Sequence, residues 1–204
     1  MTLKIETFSK HPLDNNNYVV YDTDTKEAAL IDCSMPDDDV MNWVRDHDLT
    51  LKYILLTHGH FDHIMGVSYY RERYGVEAWL HEKDAPLLPA ADRYMRHFHT
   101  DQWGSVRVKT FDDKKHFNVG KYTIEVIPTP GHTLGGVCYF VEGNLFSGDT
   151  LFLGTCGRTD LAESDEAAMQ KSLTTLFKRF PDETPVFPGH GAATTIGHER
   201  WLYQ

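Results

Sequence analysis

Hydrophobic and polar positions along the chain switch repeatedly between a strand period and a helix period. The runs NNNYVVYD (15–22) and AALID (28–32), joined by the polar TDTK, predict two paired strands. DDDVMNWVRDH (37–47) opens on three acids, which suit a helix N-terminus. Val40, Trp43 and Val44 then fall at the i, i+3, i+4 spacing of one helical face. YILLT (53–57) is an uninterrupted apolar run of strand length, as expected of a strand buried on both faces.

Residues 64–74 predict one helix with Ile64, Val67, Tyr70 and Tyr74 on one side, and 76–80 a short strand. Residues 82–98 read as partly helical, with Pro86 and Pro89 as breaks. KYTIEVIP, GVCYFVE and NLFSGD (between 121 and 149) predict three strands, the last two forming a hairpin about Glu142-Gly143-Asn144. Met169, Leu173, Leu176, Phe177 and Phe180 mark an amphipathic helix ended by Pro181, and TPVFPGHG (184–191) adds a strand and loop. Hairpins outnumber simple βαβ units, so the order fits two packed sheets with helices on their outer faces.

No repeat, low-complexity tract or linker divides the 204 residues, so one domain spanning 1–204 is expected. Hydrophobic residues at 41% and charged residues at 25% are ordinary for a chain that buries a real core. Thirty acidic against 20 basic residues give a formal charge of −10, which disfavours nucleic acid and anionic membrane as partners. Cys33, Cys138 and Cys156 form no C-x-x-C pair. They are expected to be reduced thiols of a cytoplasmic protein, and no apolar run suggests a signal peptide or membrane span.

The chemistry-bearing segment is LLTHGHFDHIMG (55–66). His58, His60, Asp62 and His63 lie within six residues, directly after a predicted buried strand. At this composition H-x-H-x-D-H arises by chance in roughly a few chains per thousand, so a merely solvated histidine cluster is a poor explanation. Residues two apart in extended chain point the same way, so His58 and His60 can converge. With no cysteine nearby, the donor set is nitrogen and oxygen. So short a loop does not bring four ligands easily to one ion. It suggests two ions side by side, one taking His58 and His60, the other Asp62 and His63. His132 in IPTPGHT, Asp149 in LFSGDT and His190 in FPGHG each sit in a glycine-containing loop after an apolar strand, and complete seven candidate ligands. Asp32, at the end of AALID, is a candidate either for orienting a ligand histidine or for capping a loop. His97 and His99 repeat the H-x-H spacing, but in a helical context where i and i+2 diverge.

THGHFDH (57–63), PGHT (130–133), SGDTLF (147–152) and PGH (188–190), in that order, resemble the metallo-β-lactamase superfamily, and within it the type II glyoxalases, or hydroxyacylglutathione hydrolases. The resemblance runs from about Tyr18 to Gly197. It implies an α+β, four-layer αββα sandwich. It also implies two divalent ions, zinc with iron or manganese as alternatives, with His58, His60 and His132 on one, Asp62, His63 and His190 on the other, and Asp149 between. Two such ions can share a water and lower its pKa towards neutrality. A thioester then suits the site because a thiolate leaves readily, and Asp62 is placed to accept a proton. The implied substrate is a small-molecule thioester such as S-lactoylglutathione.

Two features depart from that pattern. The chain is expected to lack the family's C-terminal helical extension, with its basic residues for glutathione. CGRTDL (156–161) has Arg158 where lysine is usual and Asp160 where tyrosine is usual. Arg158 is a candidate to clamp a substrate carboxylate, with a structural salt bridge the even alternative. GRTD also resembles the persulfide dioxygenases, which would use one Fe(II) on residues matching His58, His132 and Asp149. A metal-binding module without catalysis is a third reading. The stretch from Pro86 to Gly104 is a candidate lid, with Tyr94 or Trp103 against substrate.

Overall fold

The computed structural model describes residues 2–10, 14–99 and 104–203. A first sheet is built from β1 (Leu3–Lys10), β2 (Asn15–Asp22), β3 (Glu27–Ile31), β4 (Thr50–Leu55), β5 (Glu77–His81) and β6 (Lys109–Phe111), hydrogen-bonded in that order. The first three strands are antiparallel and the rest run parallel to β3. Helix α1 (Asp38–Asp46) links β3 to β4. Helices α2 (Phe61–Ile64) and α3 (Val67–Tyr74) link β4 to β5, and a 3₁₀ turn (Glu82–Leu87) with α4 (Leu88–His97) follows β5.

The second sheet uses β7 (His116–Val119), β8 (Tyr122–Pro128), β9 (Val137–Val141) and β10 (Asn144–Gly148). After the small hairpin β11 (Leu151–Phe152) and β12 (Thr155–Cys156) comes helix α5 (Glu166–Arg179). Then β13 (Pro185–Pro188), β14 (Thr194–Thr195) and α6 (Ile196–Arg200) complete the chain. Its strand order is β14-β13-β10-β9-β8-β7, with β10 and β13 the parallel pair.

Three apolar cores account for this layering. Along β2, Val19 and Tyr21 face one core while Tyr18 and Val20 face another; Ala28 and Leu30 of β3 divide from Ala29 and Ile31 in the same way. The outer core packs the first sheet against α1, α3 and α4 through Val40, Val44, Tyr70 and Met95. The central core sets Val20, Ile31 and Leu55 against Ile124, Tyr139 and Phe146 of the second sheet. The third packs Ile127, Cys138 and Leu145 on Met169, Leu173 and Leu176 of α5. Successive strand side chains point to opposite faces, so a strand with a core on both sides must be apolar throughout. That is the origin of YILLT and GVCYFV, and the result is the expected αββα sandwich. No helix among the described residues is long and apolar enough to cross a membrane.

The sequence expectations for β2, β3, α1, β4, β5, α5 and the β9–β10 hairpin are met. Glu142 and Gly143 both take positive φ (46° and 80°) at that hairpin, the conformation a tight two-residue turn needs. The helix expected over 64–74 is instead two. Gly66 interrupts it because the chain there lies against the β3–α1 loop: its N–H donates to the Cys33 carbonyl (2.8 Å). A Cβ on it would stand 2.7 Å from the Met35 oxygen. The break lets the turn carrying Asp62 and His63 point differently from α3. β1 is partly exposed and mixes polar with apolar residues, and β6, β7, β11, β12 and β14 are too short to show a period. His81, at the end of β5, is buried and bonded through Nε2 to Asp113 (2.9 Å). His11 and Trp103 lie outside the described residues.

Replacing Gly66 with alanine is expected to overpack this contact at a cost of about 1–3 kcal/mol, read as a lower urea midpoint with unchanged m-value.

Candidate metal centre

Every candidate ligand sits at the same edge of the sandwich. The His58–His60 loop leaves β4, His132 lies between β8 and β9, Asp149 follows β10 and His190 follows β13. The two sheets are stitched together there. Val137 N–H donates to the Thr57 carbonyl (2.9 Å), Asn16 N–H to the Gly189 carbonyl (2.8 Å), and the Tyr139 hydroxyl to the Leu56 carbonyl (2.8 Å). Glycine is required where the loops meet: a Cβ on Gly189 would lie 2.4 Å from Asp149 Oδ1 and 2.7 Å from His63 Cε1.

The side chains converge into three overlapping groups: His58, His60 and His132; His58, His63 and Asp149; and Asp62, His63 and His190. Within each, the candidate ligand atoms lie within 4.8 Å of one another. Asp149 lies between the two outer groups, with Oδ2 3.4 Å from His132 Nε2 and 3.5 Å from His190 Nε2. Among the described residues, His97 and His99 take part in no such group.

The donor set fits a cation. His58 Nε2 and Asp149 Oδ1 are buried without a hydrogen-bond partner, a costly state for polar atoms that a positive ion would relieve. Burial, reinforced by the neighbouring imidazoles, pushes the His58 pKa well down and keeps that ring neutral, as ligation requires. Burial also lowers His132, against the pull of Asp149. For Asp149 and Asp62 burial pushes upward, but the surrounding histidines outweigh it and hold both carboxyls below the usual range. His63 is the exception: Asp149, Asp32 and Asp62 overcome its burial and raise it to about 9.

Outer partners fix the rings. Asp32 Oδ2 accepts from His63 Nδ1 (2.9 Å) and from the Thr57 hydroxyl (2.8 Å), while Oδ1 accepts from Thr57 N–H (2.8 Å). Asp32 thus makes the contacts of both alternatives: it holds the His63 ring and caps the Thr57 end of the loop. His132 Nδ1 donates to the Arg158 carbonyl (2.9 Å), leaving Nε2 towards Asp149. Three residues escaped the sequence reading. Glu163 Oε1 bonds His60 Nε2 (2.8 Å). Asn15 Nδ2 stands 3.2 Å from Asp62 Oδ2 and 3.4 Å from both His63 Nε2 and His190 Nε2. Asp84 lies beneath the loops. None has a local signature: Asn15 opens β2, Asp84 lies within the 3₁₀ turn after β5 and Glu163 in the loop before α5, and only chain folding brings each to the cluster.

His60, Asp62, His132, Asp149 and His190 floor a cavity of about 490 Å³. Leu87, Ala90 and Ala91 form an apolar wall with Tyr94, whose ring stacks on Phe61 at 4.1 Å; Arg93, Arg158, Leu161 and Glu163 also line it. Tyr94, from the candidate lid segment, lines this cavity. The Arg158 guanidinium pairs with Asp160 through two bonds of 2.7 and 2.9 Å, both groups being exposed.

Fold and site together define a metal-dependent hydrolase scaffold. The profile of the Metallo-beta-lactamase superfamily matches residues 11–190, and the chain belongs to that family. Among its relatives is the hydroxyacylglutathione hydrolase GloC of Haemophilus influenzae, 30% identical over 97% of this chain and 95% of that protein. Similar solved structures include the BLEG-1 B3 metallo-β-lactamase (TM-score 0.85, 33% identity, 98% of this chain and 99% of that one). Another is TTHA1623 in a di-iron-bound form (TM-score 0.81, 31% identity, 96% of each chain).

Removing the Asp32 acceptor (Asp32→Asn) is expected to weaken metal uptake by about 10–100-fold, measured by competition with a chromophoric chelator. In the metal-free chain His63 is expected to hold its proton at neutral pH. Its stabilising contacts with the carboxylates are full below its ordinary pKa of 6.5 and lost as pH rises through about 9. Metal uptake near pH 7 should therefore release a proton that is no longer released above pH 9, which calorimetry in buffers of different ionisation enthalpy would detect.

Proposed function

We propose that this chain is a binuclear metal-dependent thioester hydrolase acting on S-(2-hydroxyacyl)glutathione-type substrates such as S-lactoylglutathione. The observation that carries this reading is the pair of triads flanking Asp149, which reach a cavity with an apolar wall through His60, Asp62, His132, Asp149 and His190. His58, His60 and His132 would hold one ion, Asp62, His63 and His190 the other, with Asp149 between them. Zinc is the expected metal, with iron or manganese as alternatives. Divalent cations there supply Lewis acidity, making water nucleophilic near neutral pH and polarising a carbonyl.

The protein's own contributions follow from the geometry. Asp62, kept ionised and held at Oδ2 by Asn15 Nδ2, is placed to accept the proton of the attacking water. The thiolate leaves unprotonated, so no general acid is needed. Phe61 and Tyr94 wall the cavity against bulk water. Arg158, its plane set by Asp160, serves as a binding group for a substrate carboxylate. The similarity to a hydroxyacylglutathione hydrolase supports the substrate class. The competing reading, a mononuclear Fe(II) persulfide dioxygenase, uses only His58, His132 and Asp149 and leaves the Asp62, His63 and His190 triad without a purpose.

Protein loaded separately with Zn(II), Fe(II) or Mn(II) is expected to bind two ions per chain, cleave S-lactoylglutathione and lose activity to chelation. One ion per chain with oxygen uptake on glutathione persulfide would favour the dioxygenase, and cleavage of a cephalosporin alone would sink the thioester assignment. Arg158→Ala should raise KM several-fold with kcat little changed; a fall in kcat at constant KM would count against a binding role.

A further inference from the structure

We propose that Asp84 is a positioning residue dedicated to one half of the cluster, the His58, His60 and His132 triad. It acts by clamping together the two loops that carry those imidazoles. The proposal rests on the metal reading of the site given above, though not on the identity of the substrate.

Asp84 lies in the 3₁₀ turn after β5 and is 1% exposed. Its carboxylate is satisfied by three donors from two separate loops. Oδ2 accepts from Gly59 N–H (2.9 Å) and from the Thr133 hydroxyl (2.7 Å), and Oδ1 accepts from Gly135 N–H (2.6 Å). Gly59 lies between His58 and His60, and Thr133 follows His132 directly. One loop leaves the first sheet and the other belongs to the second; the Val137–Thr57 and Tyr139–Leu56 bonds join them at the strand ends, and Asp84 ties them at the imidazoles themselves.

The fit has no slack. A Cβ on Gly59 would come within 3.0 Å of the Asp84 carbonyl oxygen and 3.2 Å of its Cβ. One on Gly135 would lie 2.7 Å from both Asp84 N and Oδ1. A buried carboxylate is tolerated only where its lone pairs are met, and here amide and hydroxyl donors alone meet them. Asparagine has nearly the same shape but only one acceptor oxygen. Its NH₂ would confront a donor, so the clamp opens while the volume is kept.

The other triad is held by different means. Asp62 and His63 sit on α2, His63 is fixed by Asp32, and Asn15 reaches Asp62 and His190. Among the described residues Asp84 bonds none of these. Loss of Asp84 should therefore be felt at one ion and not at the other, a selectivity that a general packing role would not produce.

The test is a metal titration of Asp84→Asn on two single-site backgrounds, with Co(II) absorption reporting coordination. His190→Ala leaves the His58, His60 and His132 triad intact, and His132→Ala breaks it. Asp84→Asn is expected to weaken binding by about 10–100-fold on the His190→Ala background, with altered Co(II) bands, and by less than about twofold on the His132→Ala background. Equal losses on both backgrounds, or none on the first, would overturn the assignment. Should Asp84→Asn fail to fold, Thr133→Val removes one of the three bonds and is expected to weaken the same ion about fivefold, leaving the other untouched. Wild-type protein that binds two ions yet cleaves no thioester would refute the proposed reaction and leave this assignment standing. Wild-type protein that binds none would overturn both.

Discussion

The central strands of both sheets are buried on each face, and that constraint shapes everything else in the molecule. Neither face of such a strand tolerates a charged or strongly polar side chain, because each looks into an apolar core. Polar chemistry is left with the strand ends. β3, β4, β8, β10 and β13 all finish at one edge, and β2 begins there, so Asp32, His58, His132, Asp149, His190 and Asn15 are delivered to one place by a scaffold that has no choice in the matter.

What the edge receives is an excess of buried polar atoms in need of partners. Imidazoles and carboxylates crowd together, two of their atoms without any hydrogen bond, and the neighbours push individual pKa values in opposite directions. Two further carboxylates, Asp32 and Asp84, stand behind the ligand loops and fix their rings and spacing, while Glu163 holds His60 from the cavity side. The cluster is thus held rigid from outside, by groups that do not themselves enter the candidate metal positions. A preorganised donor set of this kind is what a site needs if a substrate is to meet fixed charges rather than loops that must first be ordered.

The opposite wall of the cavity follows other rules. Helix α4 and the turn before it bring Leu87, Ala90, Ala91 and Tyr94 over the ligands; α4 is anchored by Ala91 and Met95 in the outer core, and Tyr94 stacks on Phe61, next to Asp62. Substrate selection is therefore expected to reside in α4 and in the 156–163 segment. These carry Arg93, Arg158 and Leu161, whereas the candidate ligands belong to the loops between strands and to α2.

Much of this was legible in the chain itself. Continuous apolar runs announced doubly buried strands, and the H-x-H-x-D-H cluster, with His132, Asp149 and His190 each behind an apolar strand, named the residues that the fold gathers. Those signals are local: periodicity and short spacing are set by covalent geometry. Tertiary structure alone decided the rest. Gly66 split an apparently continuous helix because a neighbouring loop lies against it, and Asp32 proved to be a ring anchor because β3 ends beside β4. Asn15, Asp84 and Glu163 became part of the site through contacts with residues 25 to 175 positions away. Hydrogen bonds of that range leave no period in a sequence, since only the closing of one sheet upon the other brings their partners within reach.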